Sequence, residues 1–265
     1  MAERVARIIL TGASSGIGAA LARELARPGA SLLLIARDPA RLAAVAEEVR
    51  ARGAKAETAA LSVTDREGLA ELLRESDARV PTDLIIANAG VAGGLSEGRR
   101  PEAEGLSHWL VDVNLKGMLN SVEPLLPAMI ARGRGRIALV SSIAGIRPVP
   151  DLPSYSAAKA GVRAYGIALR GWLRPHGIGV TVICPGFVTS PMSARHLGPK
   201  PFEMSAEAAA RLIARGIARG GSAITFPWQL ALLVWLGNRL PPRLSDWFER
   251  RFAARILPDP RAGER

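Results

Sequence analysis

The sequence predicts an α/β fold, a doubly wound parallel sheet of about seven strands in one domain, followed by a hydrophobic helical extension. Three observations predict it. Short apolar runs alternate with helical patterns along most of the 265 residues; the first run, VARIIL, passes directly into the glycine turn TGASSGIG; and no stretch has the composition of an interdomain linker. Strands apolar along their whole length, alternating with helices, describe a parallel sheet covered on both faces. Strands are expected near residues 5–10, 31–36, 55–60, 83–87, 136–141, 178–184 and 223–226.

The first strand, its turn and the helical pattern begun by Leu21 and Leu25 form a strand, glycine turn and helix start. Gly12, Gly16 and Gly18 let the backbone turn tightly and let a pyrophosphate approach the helix N-terminus, where free N–H groups and the helix dipole attract anions. Ser14, Ser15 and Ile17 complete this loop. Three residues separate the first two glycines, so the spacing is not GxGxxG, and the strand before and helix after are the context that supports the motif. The second strand ends in SLLLIARD. Asp38 followed by Pro39 reads as a helix N-cap with proline at the first helical position. Ala36 then holds the place of a ribose-binding acid, and Arg37 is free to meet a 2′-phosphate, which favours NADP(H) over NAD(H).

After the third strand, LSVTD leads into a helix, with Thr64 and Glu67 at capping-box spacing. The fourth strand, DLIIA, runs into ANAG, and the fifth into VSSIAG, which carries Ser142. Thirteen residues beyond Ser142, SYSAAKAG places Tyr155 and Lys159 four apart, on one face of a helix. A phenol ionises near ~10, and a fixed positive charge beside it favours the phenolate. The chain contains only four lysines among its 35 basic residues. Lysine at 159 is therefore notable, since arginine's wider forked head does not replace it in a tight site. The sixth strand carries Cys184, the single cysteine, which excludes an intrachain disulfide and reads as an inert core thiol.

With the glycine turn, Ser142, Tyr155 and Lys159 in order, the chain resembles the short-chain dehydrogenase/reductase family over roughly residues 4–225. ANAG, VNLKG with Asn114, and CPGFVT with Pro185, Gly186, Val188 and Thr189 extend the match. The resemblance implies a Rossmann-type domain over 1–226 and an oxidoreductase acting on CH–OH or C=O groups. Tyr155 would be the general acid or base, and Ser142 would hold the carbonyl oxygen. Lys159 would lower the tyrosine pKa and bind the nicotinamide ribose, and Asn114 would anchor a water leading to solvent. Asn88, Ala89 and Gly90 would pack the adenosine end, and Thr189 would meet the nicotinamide carboxamide. Two of these positions carry plainer readings: Asn88 tying neighbouring strands, and Thr189 capping a turn. Ser62 departs from the family pattern, in which an aspartate commonly faces the adenine. The family also implies a homodimer or homotetramer built through the long helices.

Residues Phe187 to Glu203, with Met192, Leu197 and Phe202, fall where the family places a substrate lid. Ile143, Ile146, Val149 and Leu152 would line the approach to Tyr155. Together they point to an apolar ketone, aldehyde or alcohol, while Arg147 and Arg195 leave an acidic or phosphorylated substrate open. The second function class is a non-catalytic NAD(P)-binding sensor or scaffold, which needs the glycine turn but no proton-transfer group.

The net charge of +11 is accompanied by no aromatic-interleaved basic motif or helix-turn-helix signature, which argues against nucleic acid. His108, His176 and His196 have no metal-like spacing and read as surface or loop residues, so no metal is expected. The first strand begins within five residues of Met1, leaving no room for a signal peptide, and a cytoplasmic location is the expectation. Residues 227–265 form the extension, with Trp228, Trp235 and Trp247. Its first apolar run is shorter than the about 20 residues that span a bilayer. A second helical pattern after Pro242 would align Leu244, Trp247, Phe248, Phe252 and Ile256. Residues 227–257 would lie on a membrane surface, pack against another subunit or cover the substrate cleft.

Overall fold

The structure is a computed structural model and describes residues 7–241 and 255–259. Its strands are β1 (Arg7–Thr11), β2 (Ser31–Ala36), β3 (Lys55–Ala60), β4 (Leu84–Ala87), β5 (Gly135–Val140), β6 (Ile178–Pro185), β7 (His196–Leu197), β8 (Ala223–Phe226) and β9 (Arg255–Ile256). Seven of them form one parallel sheet in the order β3-β2-β1-β4-β5-β6-β8. The strand order reverses between β1 and β4, the switch point beside which ligands bind in such sheets.

Side chains alternate between the two faces of the strands and feed two cores. Ile8, Leu10, Leu32 and Leu34 pack under α1 (Gly16–Leu25), α2 (Pro39–Ala51) and α9 (Ala206–Ala218). Ile9, Leu33, Ile35 and Ile85 pack under α3 (Arg66–Arg79) and the segment α4 (Leu106–Val111), α5 (Gly117–Val122) and α6 (Leu126–Arg132), with α7 (Pro153–Leu173). Two short helices remain: α8 (Pro191–Ala194) after β6 and α10 (Trp228–Gly237) in the extension. The expected strands and the observed ones agree within about two residues, although β3, KAETAA, is an exposed edge strand rather than an apolar one. Residues 5 and 6 of the first expected strand lie outside the described residues.

Asp38 caps α2 by accepting from the Arg41 N–H at 3.0 Å, with Pro39 at the first helical position. At α3 the cap is Asp65, which accepts from the Gly68 N–H at 3.0 Å, and not Thr64 as its spacing to Glu67 suggests. Thr64 is spent one turn earlier, its hydroxyl 2.8 Å from that of Ser62. The second helical pattern of the extension also needs correction at its end. Ile256 belongs to β9, which pairs antiparallel with β7. Leu244, Trp247, Phe248 and Phe252 lie outside the described residues.

At the amino ends of the strands, opposite the switch point, Arg7 is 1% exposed. Its guanidinium donates to Ser31, Glu57 and Ser76, each at 2.7 Å, joining three strands to α3. Arg7→Ala is expected to lower stability by about 2–3 kcal/mol, because buried Ser76 and part-buried Ser31 lose their donor while the half-exposed Glu57 carboxylate is resolvated. Urea unfolding checks the loss, and turnover per folded molecule should be unchanged, since the network is remote from the cleft.

Candidate active site

The carboxyl ends of β1, β2, β4, β5 and β6 open on one cleft of about 1500 Å³. Its wall contains Gly12, Ser14, Ser15, Gly16, Ile17 and Gly18 from the first turn, then Arg37, Ser62, Asn88, Ala89 and Gly90. Ser142, Tyr155, Lys159, Pro185, Gly186 and Val188 close the far side, with Ile143, Leu152, Phe187 and Met192.

The glycine turn is shaped by contact. A Cβ on Gly12 would sit 2.7 Å from the Ala89 Cα, and one on Gly18 would sit 2.0 Å from the Gly12 carbonyl oxygen. No larger residue lets α1 begin so close to β4. The N-terminus of α1 has no acidic residue in its first turn, and Ser15 makes no side-chain cap. Asp38, Asp65 and Ser205 do cap α2, α3 and α9. The first turn of α1 therefore presents main-chain donors toward the cleft, a donor set that fits a pyrophosphate. Arg37 follows β2, and Arg41 also lines the wall, 3.2 Å from Asp38. Arg41 is a cation the sequence reading missed; its place one turn into a helix that starts at the cleft edge was the available signal.

Asn88 does tie strands: its amide donates to the Thr11 and Gly12 carbonyls at 3.0 and 3.2 Å. Its place in the wall is thus fixed by main-chain contacts. Thr189 does not line the cleft. Its hydroxyl donates to the Met204 carbonyl at 3.3 Å, and Ser190 takes its place in the wall. Ile146 is likewise outside the lining, its carbonyl facing the Asn238 amide at 3.4 Å, while Arg147 and Val149 are inside. Leu197 and Phe202 are exposed.

Ser142, just beyond β5, accepts from the Ala144 N–H at 3.1 Å, and its hydroxyl is the polar group set against the Tyr155 phenol. Lys159, one turn along α7, is buried and donates to the Val140 carbonyl at 3.0 Å, with its Nζ 5.9 Å from the centre of the Tyr155 ring. The sequence reading has the lysine lowering the tyrosine pKa. In the structure burial prevails and pushes the phenol up, opposed by the Ser142 hydrogen bond. Burial also brings the Lys159 ammonium down to about 8, opposed by a smaller electrostatic contribution from the neighbouring Cys184.

Asn114 lies behind this pair, in a π-helical turn, Asp112–Lys116, between α4 and α5. Its amide donates to the Val91 and Leu110 carbonyls at 3.0 and 2.9 Å, and its Oδ1 accepts from the Val91 N–H at 3.2 Å. The side chain is thus engaged with main chain and does not reach the cleft wall. Gly90 is what brings it close to the lysine: a Cβ there would lie 2.8 Å from Asn114 Oδ1 and 3.2 Å from Lys159 Nζ.

The extension supplies wall residues that the sequence did not single out. Leu230 and Val234 of α10, Ile256 of β9 and Asp259 all line the cleft. Arg195 pairs with Asp259 at 2.9 Å, and Arg147 donates to Asn238 at 3.1 Å, so both arginines are engaged by the extension. His196 lines the wall and packs edge-on against Phe187 at 5.0 Å, whereas His108 and His176 are exposed. Cys184 is buried, and burial raises its thiol.

A parallel sheet with a phosphate-fitting turn at its switch point and a Ser–Tyr–Lys group facing it defines a dinucleotide-dependent oxidoreductase. The short chain dehydrogenase family model matches residues 6–198, and the chain belongs to that family. An uncharacterized oxidoreductase of Myxococcus xanthus is 39% identical over 253 residues, covering 95% of this chain and 99% of its own. A 3-dehydrosphinganine reductase of Arabidopsis thaliana is 32% identical over 255 residues, covering 91% of this chain and 75% of its own. Among solved structures, a short-chain dehydrogenase from Sphingobium yanoikuyae in complex with NADPH superposes with a TM-score of 0.75 at 26% identity, covering 93% of this chain and 94% of its own.

Proposed function

We propose that this protein reduces an apolar ketone or aldehyde with NADPH, using Tyr155 as the general acid. The observation that carries this reading is the Tyr155 phenol, partly buried, set against the Ser142 hydroxyl and with the Lys159 Nζ 5.9 Å from its ring centre, in a cleft bordered by Ile143, Leu152, Phe187 and Met192. When bound, NADPH supplies the hydride. Burial keeps the phenol in its proton-carrying form at neutral pH, which suits donation to a carbonyl oxygen as negative charge develops there. Ser142 holds that oxygen by a hydrogen bond. The Lys159 ammonium adds fixed positive charge to the same water-poor corner, where charge acts over longer range than in solvent. Apolar side chains around the acid position the substrate and exclude water.

The residues present fit NADP(H) better than NAD(H). Ala36 leaves no acid at the end of β2, and Arg37 and Arg41 offer two cations to a 2′-phosphate. The Arg37→Ser/Arg41→Ser double variant is expected to weaken NADPH binding by about tenfold or more. NADH binding should change little. Fluorescence titration with each nucleotide checks this; equal losses for both would remove the phosphate assignment. Substrate class is tested by NADPH oxidation across aliphatic, aromatic, steroid and acyl-carrier ketones, with apolar substrates expected to turn over and small charged ones not.

A further inference from the structure

The helix α10, WQLALLVWLG, is apolar apart from Gln229 yet stands at the surface. Its inward residues Leu230 and Val234, four apart, form part of the cleft wall. Its outward arc carries Trp228 at 70% exposure, Leu232 at 47%, Leu233 at 52% and Trp235 at 53%. Residues at spacings of three, four and seven share a helix side, so this arc faces away from the cleft. Ten residues extend only about 15 Å, too short to cross a bilayer. No helix among the described residues is long and apolar enough to do so.

We propose that α10 lies in the surface of an anionic lipid bilayer, tryptophans and leucines outward, and that the substrate is a ketone on a lipid chain entering the cleft from that surface. The proposal rests on the carbonyl-reductase reading and names its substrate class. Charge selects the occupant. Among the described residues α10 carries no acidic side chain and is followed by the cation Arg239, in a chain of net charge +11. A second copy would bring the same positive charge to the contact, whereas anionic headgroups complement it. Arg239 stacks on the Trp235 ring at 3.5 Å. This pairing suits the headgroup boundary, where the indole enters the apolar layer and the guanidinium stays among phosphates. Because the same helix walls the cleft, a chain leaving the bilayer beside α10 would meet Leu230 and Val234 before it reaches Tyr155.

The test is co-sedimentation of the folded full-length chain with phosphatidylglycerol/phosphatidylcholine vesicles and with pure phosphatidylcholine. It is paired with the Trp228→Gln/Leu232→Gln/Leu233→Gln variant, which spares the cleft wall. Parent protein is expected to pellet with anionic vesicles, to be released by salt, and to bind about tenfold more tightly than the triple variant. Folding is judged by circular dichroism and reduction of a soluble short ketone is measured separately, so loss of the reductase reading is distinguishable from loss of the docking surface. Folded parent protein remaining in the supernatant would overturn the proposal. So would pelleting unaffected by the triple variant, or a dimer that the triple variant disrupts without any vesicle binding.

Discussion

A Tyr155→Phe protein is expected to bind NADPH as the parent chain does and to lose turnover by about three orders of magnitude. The substitution removes one oxygen atom from a ring held on α7, whose packing against β6 and the turn after β5 does not depend on that oxygen. Binding should survive because the glycine turn, Arg37 and the Asn88 tie to β1 lie on other elements. The loss should fall on kcat, since the phenol acts on oxygen charge that develops only during reaction. Stopped-flow NADPH oxidation together with nucleotide titration separates the two. A variant with undiminished kcat would remove Tyr155 from the mechanism.

The second large effect concerns Lys159 and has two signs. Lys159→Met should abolish measurable turnover while making the protein more stable at neutral pH. The ammonium pKa is lowered from 10.5 to about 8 by burial. Its folded value lies below its unfolded one, so the unfolded chain binds more protons between about 8 and 10.5, and stability of the parent protein rises with pH through that window. Below about 8 the full cost of burying the charge is present, about 3 kcal/mol. The variant leaves the Val140 carbonyl without its donor, an offset of about 1 kcal/mol. A net gain of about 2 kcal/mol is expected at pH 7, vanishing or reversing by pH 10.5. Urea unfolding at both pH values checks it; a variant less stable than the parent at pH 7 would show that Lys159 supports the fold rather than burdening it.

The parts of the site that were legible in the sequence are those fixed by local chain geometry. The glycine turn, the four-residue step from Tyr155 to Lys159 and the Asp38–Pro39 cap each follow from a few neighbouring residues, and the structure places all of them at the cleft. Effects that arise only on folding were not legible. A tyrosine beside a lysine suggests a depressed phenol pKa, but burial of both groups reverses that balance. Asn114 is engaged through a π-helical turn, which no spacing rule announces. Thr189 and Ile146 sit beside lining residues in sequence yet turn away from the cleft, because Met204 and Asn238 engage them.

The extension shows the same limit most clearly. An apolar run with one glutamine has no periodicity to reveal which side faces inward, so the contribution of Leu230 and Val234 to the wall appears only in three dimensions. Ile256 fits a helical pattern by spacing, but pairing with the distant strand β7 makes it part of β9. Such nonlocal pairing depends on residues far away in sequence, and a local pattern carries no trace of it.

Carbonyl reduction, rather than nucleotide binding alone, is the activity assigned to this cleft. The most direct measurement follows NADPH loss and alcohol formation together after an apolar ketone is added to the purified chain. One alcohol is expected for each NADPH oxidised, with both absent in Tyr155→Phe. Tight NADPH binding with no oxidation by any apolar ketone or aldehyde, and no difference between the parent and Tyr155→Phe, would contradict carbonyl reduction and leave a nucleotide-binding protein in its place.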